Sequence, residues 1–390
     1  MEPIIPDPFE FACGPKIIFG AGRFAELPAL LATCGKRVLC LTGEVSFKTD
    51  AKWGAFHVAA AAQGVRISHV AVGATPSDVW VDEICAKYRD EPIDTVVGIG
   101  GGRVVDSAKL VAVGLAASQP MRDWVSEAYR ERLPLVVVPT TSGVGAEVSP
   151  AVVYTLPDDP RRVAEIRHDH FAPDLAVIDP ELMLGCPLPL SAAAGLTALT
   201  HLLESYVSRR ANALSDAIAF SGVLHLRESF PAFFANGEDT VLPRANLAYA
   251  SLLAGIARAN AGSGVVHGLA LQLAGRHGIS YGVACGTLLP VAVGVNIHVL
   301  RHVQPDELIL AKYAMLGHLF SGLEPADINA GCDALITTLN DWINVMQLPR
   351  LGDFGVETDV IADLAAATDV GDNAVEITND DVKNIIQLRI

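Results

Sequence analysis

The sequence predicts an α/β domain built on a parallel sheet, followed by an all-helical domain. Three observations carry this reading. A chain of 390 residues exceeds the size at which one hydrophobic core keeps growing, so two cores are expected. Through about residue 180, short β-branched runs alternate with longer stretches of helical spacing, the pattern of a sheet flanked by helices. From Ser191 onward the chain reads as long Ala- and Leu-rich stretches with few strand signals. The Pro-rich segment 179–189 separates the two textures, and we place the boundary near 185, giving domains 1–185 and 186–390.

Taken in order, the expected strands are 36–42, 66–72, 95–99, 135–139 and 175–179. Residues 50–63 and 77–88 have apolar residues at helical spacing, and each lies between two strand candidates, which is the logic of a βαβ unit. Beyond the boundary, helices are expected at 191–208, 213–230, 242–259, 262–273, 287–300, 305–317, 327–346 and 358–368. A last one, 378–387, opens with a Thr-x-x-Asp cap signal.

Apolar residues make up 51% of the chain and charged residues 18%, which excludes a disordered polymer. The formal net charge of −16 disfavours nucleic acid and anionic membranes and leaves small molecules as the expected partners. Residues 1–14 show no signal-peptide pattern, and no run reaches the roughly 18 uninterrupted apolar residues of a membrane span. A cytoplasmic location is expected. The seven cysteines are scattered without a CxxC pair, so they are expected as buried thiols rather than a disulfide or metal framework.

Two stretches carry chemistry. Gly98 to Lys109 (GIGGGRVVDSAK) follows an apolar strand and opens a helix. Consecutive glycines let the backbone approach a pyrophosphate, and the helix N-terminus offers unpaired N–H groups and a positive dipole end. Leu135 to Glu147 (LVVVPTTSGVGAE) is a second buried strand ending in hydroxyls and glycines, placed for a ligand at the carboxyl edge of the sheet. The spacing is neither GxGxxG nor a Walker loop.

GGGxxxDxAK followed about 30 residues later by PTTxGxGxE resembles the iron-dependent (group III) alcohol dehydrogenases. The likeness runs from KIIFGAG at Lys16–Gly22 through IDPE at Ile178–Glu181 and SAAAG at Ser191–Gly195 to the C-terminus. It implies a dinucleotide domain before a helical catalytic domain, NAD(P)-linked oxidation of small alcohols or reduction of aldehydes and ketones in a cleft between the domains, and a homo-oligomer, a dimer. It also implies that Gly100, Gly101 and Gly102 face the pyrophosphate and that Thr140 and Thr141 face the cofactor. Asp106 and Lys109 are expected beside them, with a surface ion pair as the alternative.

In this family one Asp and three His hold a divalent metal, the Asp and first His spaced D-x-x-x-H on one helix face. Here Thr197 stands at the Asp position before His201, His267 matches the second His, and Tyr281 replaces the last, before Gly282. A further family His is Leu271. A neutral hydroxyl and a phenol are poor ligands, so His201 and His267 are expected to form a weak iron or zinc site or none. His277 is a candidate replacement. Similar losses occur in the maleylacetate reductases, which transfer hydride without metal. His201, His267 and Tyr281 are then expected to line the reacting carbon, with Tyr281 as proton donor.

The resemblance also implies an Asp after the first strand in NAD-preferring members; Gly43 stands there instead. That leaves room for a 2′-phosphate, with Ser46 and Lys48 as donors and Glu44 an unfavourable neighbour if turned inward. NADP is the expected cofactor and NAD the alternative. Two rival functions remain: a metal-free keto-acid reductase with Arg276 on the substrate carboxylate, and a silent member that only binds cofactor.

Overall fold

The computed structural model describes residues 8–44, 51–117, 119–125, 131–157, 159–236, 239–322 and 327–390, and for 160, 161 and 231–236 the backbone alone. The chain divides into two compact units. The α/β unit comprises Cys13–Cys186 with Asp239–Ala248, and the helical unit comprises Pro187–Glu238 and Tyr249–Ile390 with the residues up to Ala12.

In the α/β unit the strands are β1 (Lys16–Phe19), β2 (Arg37–Gly43), β3 (Arg66–Val72), β4 (Thr95–Gly100), β5 (Leu135–Pro139), β6 (Ala151–Leu156), β7 (Asp159–Arg167) and β8 (Leu175–Ile178). The helices are α1 (Leu27–Cys34), α2 (Ala51–Ala62), α3 (Asp78–Tyr88), α4 (Gly102–Ala116) and the single turn α5 (Met121–Trp124). Six strands form a parallel sheet in the order β1-β8-β5-β4-β2-β3. Along β2, Val38 and Cys40 pack with Leu27, Leu31 and Phe56 on one face, and Leu39 and Leu41 pack with Val104 and Ala108 on the other. Coverage of both faces explains why these strands read as unbroken apolar runs.

The chain steps outward from β2 to β3, then returns to lay β4 on the other side of β2. That reversal is a topological switch point, where open α/β sheets bind ligands beyond their carboxyl ends. Asp179 braces this unit from the end of β8: its buried carboxylate accepts from the backbone N–H groups of Gly22, Phe24 and Glu181.

The helical unit contains α6 (Leu188–Tyr206), α7 (Ala213–Asn236), most of α8 (Val241–Ala261), α9 (Val265–His277), α10 (Tyr281–His302), α11 (Glu307–Ser321), α12 (Ile328–Val345), α13 (Ile361–Ala366) and α14 (Asn379–Gln387). Thr378 caps α14 through the reciprocal bonds with Asp381 that its sequence signal predicts. α10 has the length and apolar character of a membrane span, but it packs against α6, α9 and α12 and most of it is buried, as in a core helix.

Several elements depart from expectation, and β1, α1 and α5 are not among those expected. The antiparallel pair β6 and β7 was not foreseen. Residues 358–368 are a 3-10 turn followed by the short α13 rather than one helix. α10 begins at Tyr281, six residues before the expected start at 287, because Gly282 and Gly286 suggest a loop but serve packing. A Cβ on Gly282 would overlap the Ala193 carbonyl oxygen of α6, and one on Gly286 would lie 2.5 Å from Leu196.

Candidate active site

At the carboxyl edge of the sheet, β2, β4 and β5 lie side by side in register, with Thr42 opposite Ile99 and Gly100 opposite Pro139. The structure thus brings Gly43, Gly100, Gly101, Gly102, Thr140 and Thr141 to one edge. The glycines divide the work. A Cβ on Gly98 would lie 2.8 Å from Ala108, and one on Gly100 would lie 2.6 Å from Val104, so these two let α4 pack onto its own strand. Gly101, the N-cap of α4, has no side chain to cap the helix and comes against Thr141, whose Oγ1 lies 3.1 Å from where a Cβ would stand. Thr140 N–H donates to Gly100 O at 3.0 Å and ties the two loops together. An unscreened helix N-terminus beside a threonine hydroxyl fits the pyrophosphate of a dinucleotide.

Asp106 and Lys109 are expected beside the cofactor, and the structure corrects Lys109. Its ammonium is fully buried and donates to the carbonyl oxygens of Ser149 and Ala151, each at 2.8 Å. Asp106, whose Oδ1 lies 3.9 Å from that ammonium, accepts from Val153 N–H at 3.3 Å. Together they fasten α4 to the start of β6, because an enclosed charge needs bonded partners. They do not form a surface pair. Of the residues expected to read the 2′ position, Ser46 and Lys48 lie outside the described residues, and Glu44 folds its carboxylate over Gly73, where a Cβ would lie 2.6 Å from it. Arg103, in the first turn of α4, reaches the same place and donates to Gly73 O at 3.4 Å.

In the helical unit, His201 on α6 is buried, with Thr197 one turn before it. The Thr197 hydroxyl donates to Ala193 O at 2.9 Å. His267 lies in the first turn of α9, and Tyr281 is the first residue of α10. Their polar ends converge: Tyr281 Oη lies 3.0 Å from His201 Nε2 and 2.5 Å from His267 Nδ1. Arg258 on α8, buried to 6% exposure, places Nη2 2.9 Å from His267 Nε2. Glu204, one turn beyond His201, accepts from the N–H groups of Val266 and His267 and holds the start of α9. Burial raises its carboxyl to about 7 against the pull of those donors and of Arg258.

Arg258 and Glu204 were not singled out from sequence. Their signal was a charge inside an apolar helical pattern. His277, by contrast, does not join the cluster. It ends α9 ten residues from His267, roughly 15 Å along the axis, beyond the reach of a shared ligand. Arg276 beside it is exposed.

The family model for iron-containing alcohol dehydrogenase matches residues 14–180, and that for the C-terminal region of Fe-containing alcohol dehydrogenases matches 191–389. The chain belongs to the iron-containing alcohol dehydrogenase family. As a member it is an NAD(P)-dependent oxidoreductase of the alcohol dehydrogenase class. It is similar to the NAD-dependent methanol dehydrogenase of Bacillus methanolicus, 31% identical over 74% of each chain. It is 34% identical to the 1,3-propanediol dehydrogenase of Klebsiella pneumoniae, over 72% of this chain and 71% of that one. A crystal structure of 1,3-propanediol oxidoreductase matches it with a TM-score of 0.89 at 25% identity, covering 98% of this chain and 100% of that one.

The donor set of this iron-containing alcohol dehydrogenase does not fit the ion of the family's name. Among the described residues, no group of three or more His, Cys, Asp or Glu side chains is placed to hold a metal. His201 and His267 do meet, but a phenol lies between them, the alcohol at 197 is bonded to a carbonyl, and a guanidinium sits on His267 Nε2. Divalent iron or zinc requires several lone-pair donors and no adjacent fixed cation.

Proposed function

We propose that this chain carries out reversible hydride transfer on small alcohols, aldehydes or ketones with Tyr281, rather than a metal, governing the substrate oxygen. The observation that carries the reading is the Tyr281 hydroxyl within hydrogen-bond reach of both His201 and His267. Bound at the glycine edge, NAD(P)H supplies the hydride. In reduction the carbonyl oxygen, gaining negative charge as its carbon receives hydride, takes the Tyr281 proton, and a proton from solvent restores the phenol. His201 and His267 hold the phenol in place and spread the charge left on its oxygen. In oxidation the same atoms run in reverse.

NADP is the preferred cofactor in this reading. Gly43 leaves the 2′ position without a carboxylate, Glu44 is turned to Gly73, and Arg103 brings a guanidinium to the same end of the sheet. The net charge of −16 accords with small-molecule partners, without nucleic acid or membrane, for a cytoplasmic homodimer.

The test is cofactor oxidation against a panel of short aldehydes, ketones and one keto acid, in the parent and in Tyr281→Phe. We expect turnover with aldehydes after exhaustive chelation and a loss of about 10²-fold or more in kcat for the variant. Full activity in Tyr281→Phe, or activity that appears only with added metal, sinks the reading. Gly43→Asp should weaken NADPH selectively; equal binding of NADH and NADPH by the parent would refute the preference.

A further inference from the structure

A guanidinium carries five N–H donors, no acceptor, and its charge at every working pH. Arg258 Nη2, 2.9 Å from His267 Nε2, therefore donates, and Nε2 is the nitrogen that holds the lone pair. A neutral imidazole then carries its proton on Nδ1. That nitrogen lies 2.5 Å from Tyr281 Oη, so His267 donates to the phenol oxygen. His201 Nε2 lies 3.0 Å from the same phenol oxygen.

We propose that Arg258 is a positioning residue: through its bond to His267 Nε2 it locks His267 as the Nδ1–H tautomer, which donates to the Tyr281 oxygen and holds the phenol in place. Three elements, α8, α9 and α10, thus carry one hydrogen-bond chain with a single direction, Arg258 to His267 to Tyr281. The fixed cation at its head strengthens the donor that reaches the phenol oxygen. Its bearing on turnover rests on the reading of Tyr281 as proton donor, but the tautomer itself does not.

Accordingly the first measurement is made on the resting protein. Full-length chain labelled with ¹⁵N-histidine, with His267→Gln for assignment, is examined by long-range ¹H–¹⁵N NMR at neutral pH. His267 is expected to show protonated Nδ1 and bare Nε2. Arg258→Lys, which also only donates, should keep that pattern, and Arg258→Ala should lose it to a mixture of tautomers. Should the Ala variant fail to fold, Arg258→Met, which retains the apolar stem, replaces it. For aldehyde reduction, loss of Arg258 should lower kcat about 10²-fold while KM changes by less than about threefold, with Lys restoring most of the rate. A parent protein with protonated Nε2, or an Arg258→Ala variant with an unchanged tautomer, overturns the proposal. A fully active Tyr281→Phe enzyme would instead overturn the proton-donor reading and leave the tautomer result standing.

Discussion

A phenol held between two imidazoles, with a guanidinium behind one of them, is the feature that sets this chain apart from the metal centre its family name describes. At the residue scale the consequence concerns Thr197 and Tyr281. If 197 and 281 are ligand positions, as the resemblance implies, Thr197→Asp with Tyr281→His should recreate a one-Asp, three-His set, and zinc affinity should rise by roughly 10²-fold or more over the parent, measured by calorimetry after chelation. Adding Arg258→Ala should raise it further, because the guanidinium bonded to His267 Nε2 repels a second cation. A double variant that takes up no zinc would show that 197 and 281 are not ligand positions. Sequence alone brought His201, His267 and Tyr281 forward, since each stands in a motif. It could not bring Arg258, because a helix nine residues upstream of His267 shows its partner only after folding.

Among the elements, α10 joins packing to chemistry. It places Tyr281 in the cluster, and the next residue, Gly282, lets it cross α6 with no room for a side chain. Gly282→Ala should cost about 1–3 kcal/mol in urea denaturation and depress activity by shifting Tyr281. Gly294 on the same helix meets no atom within 4 Å of a Cβ position, so Gly294→Ala should be neutral or stabilise by about 0.5–1 kcal/mol through helix propensity. Equal effects of the two changes would refute close packing at 282. Gly282 and Gly286 explain why α10 starts ahead of the expected 287. Glycine signals a loop in a sequence, and only the neighbouring helix reveals that it is there to admit a backbone.

For the whole molecule, buried carboxyls set a pH dependence of stability. Glu147, at the end of the PTT loop, is raised from 4.5 to about 7 by burial, against the pull of its own backbone N–H and of Lys109. The folded state then retains a proton that the unfolded chain has released. The contribution, up to about 3 kcal/mol, is fully present below about 4.5 and is lost as pH rises through about 7. Glu147→Gln should therefore match the parent in urea midpoint near pH 5 and exceed it near pH 8. Equal destabilisation at both pH values would show that the carboxyl is not protonated in the folded chain.

Residues 66–72 and 135–139 are strands at the limits expected from sequence, and the GGG and PTT loops lie side by side as their motifs imply. Such features are local: apolar periodicity, β-branching and glycine after a buried strand act within a few residues, so the chain declares them in order. The change of texture near 185 is likewise local, but the two units do not follow it as two unbroken stretches: Asp239–Ala248 belong with the sheet, and the residues up to Ala12 belong with the helices. Contacts between distant segments were decided only in three dimensions. Lys109 turns to the carbonyls of Ser149 and Ala151, His277 is left at a helix end, and Arg258 meets His267. In each case the outcome depends on which buried charge must find a partner, and that partner is supplied by the packing of another element rather than by the charge's neighbours in sequence.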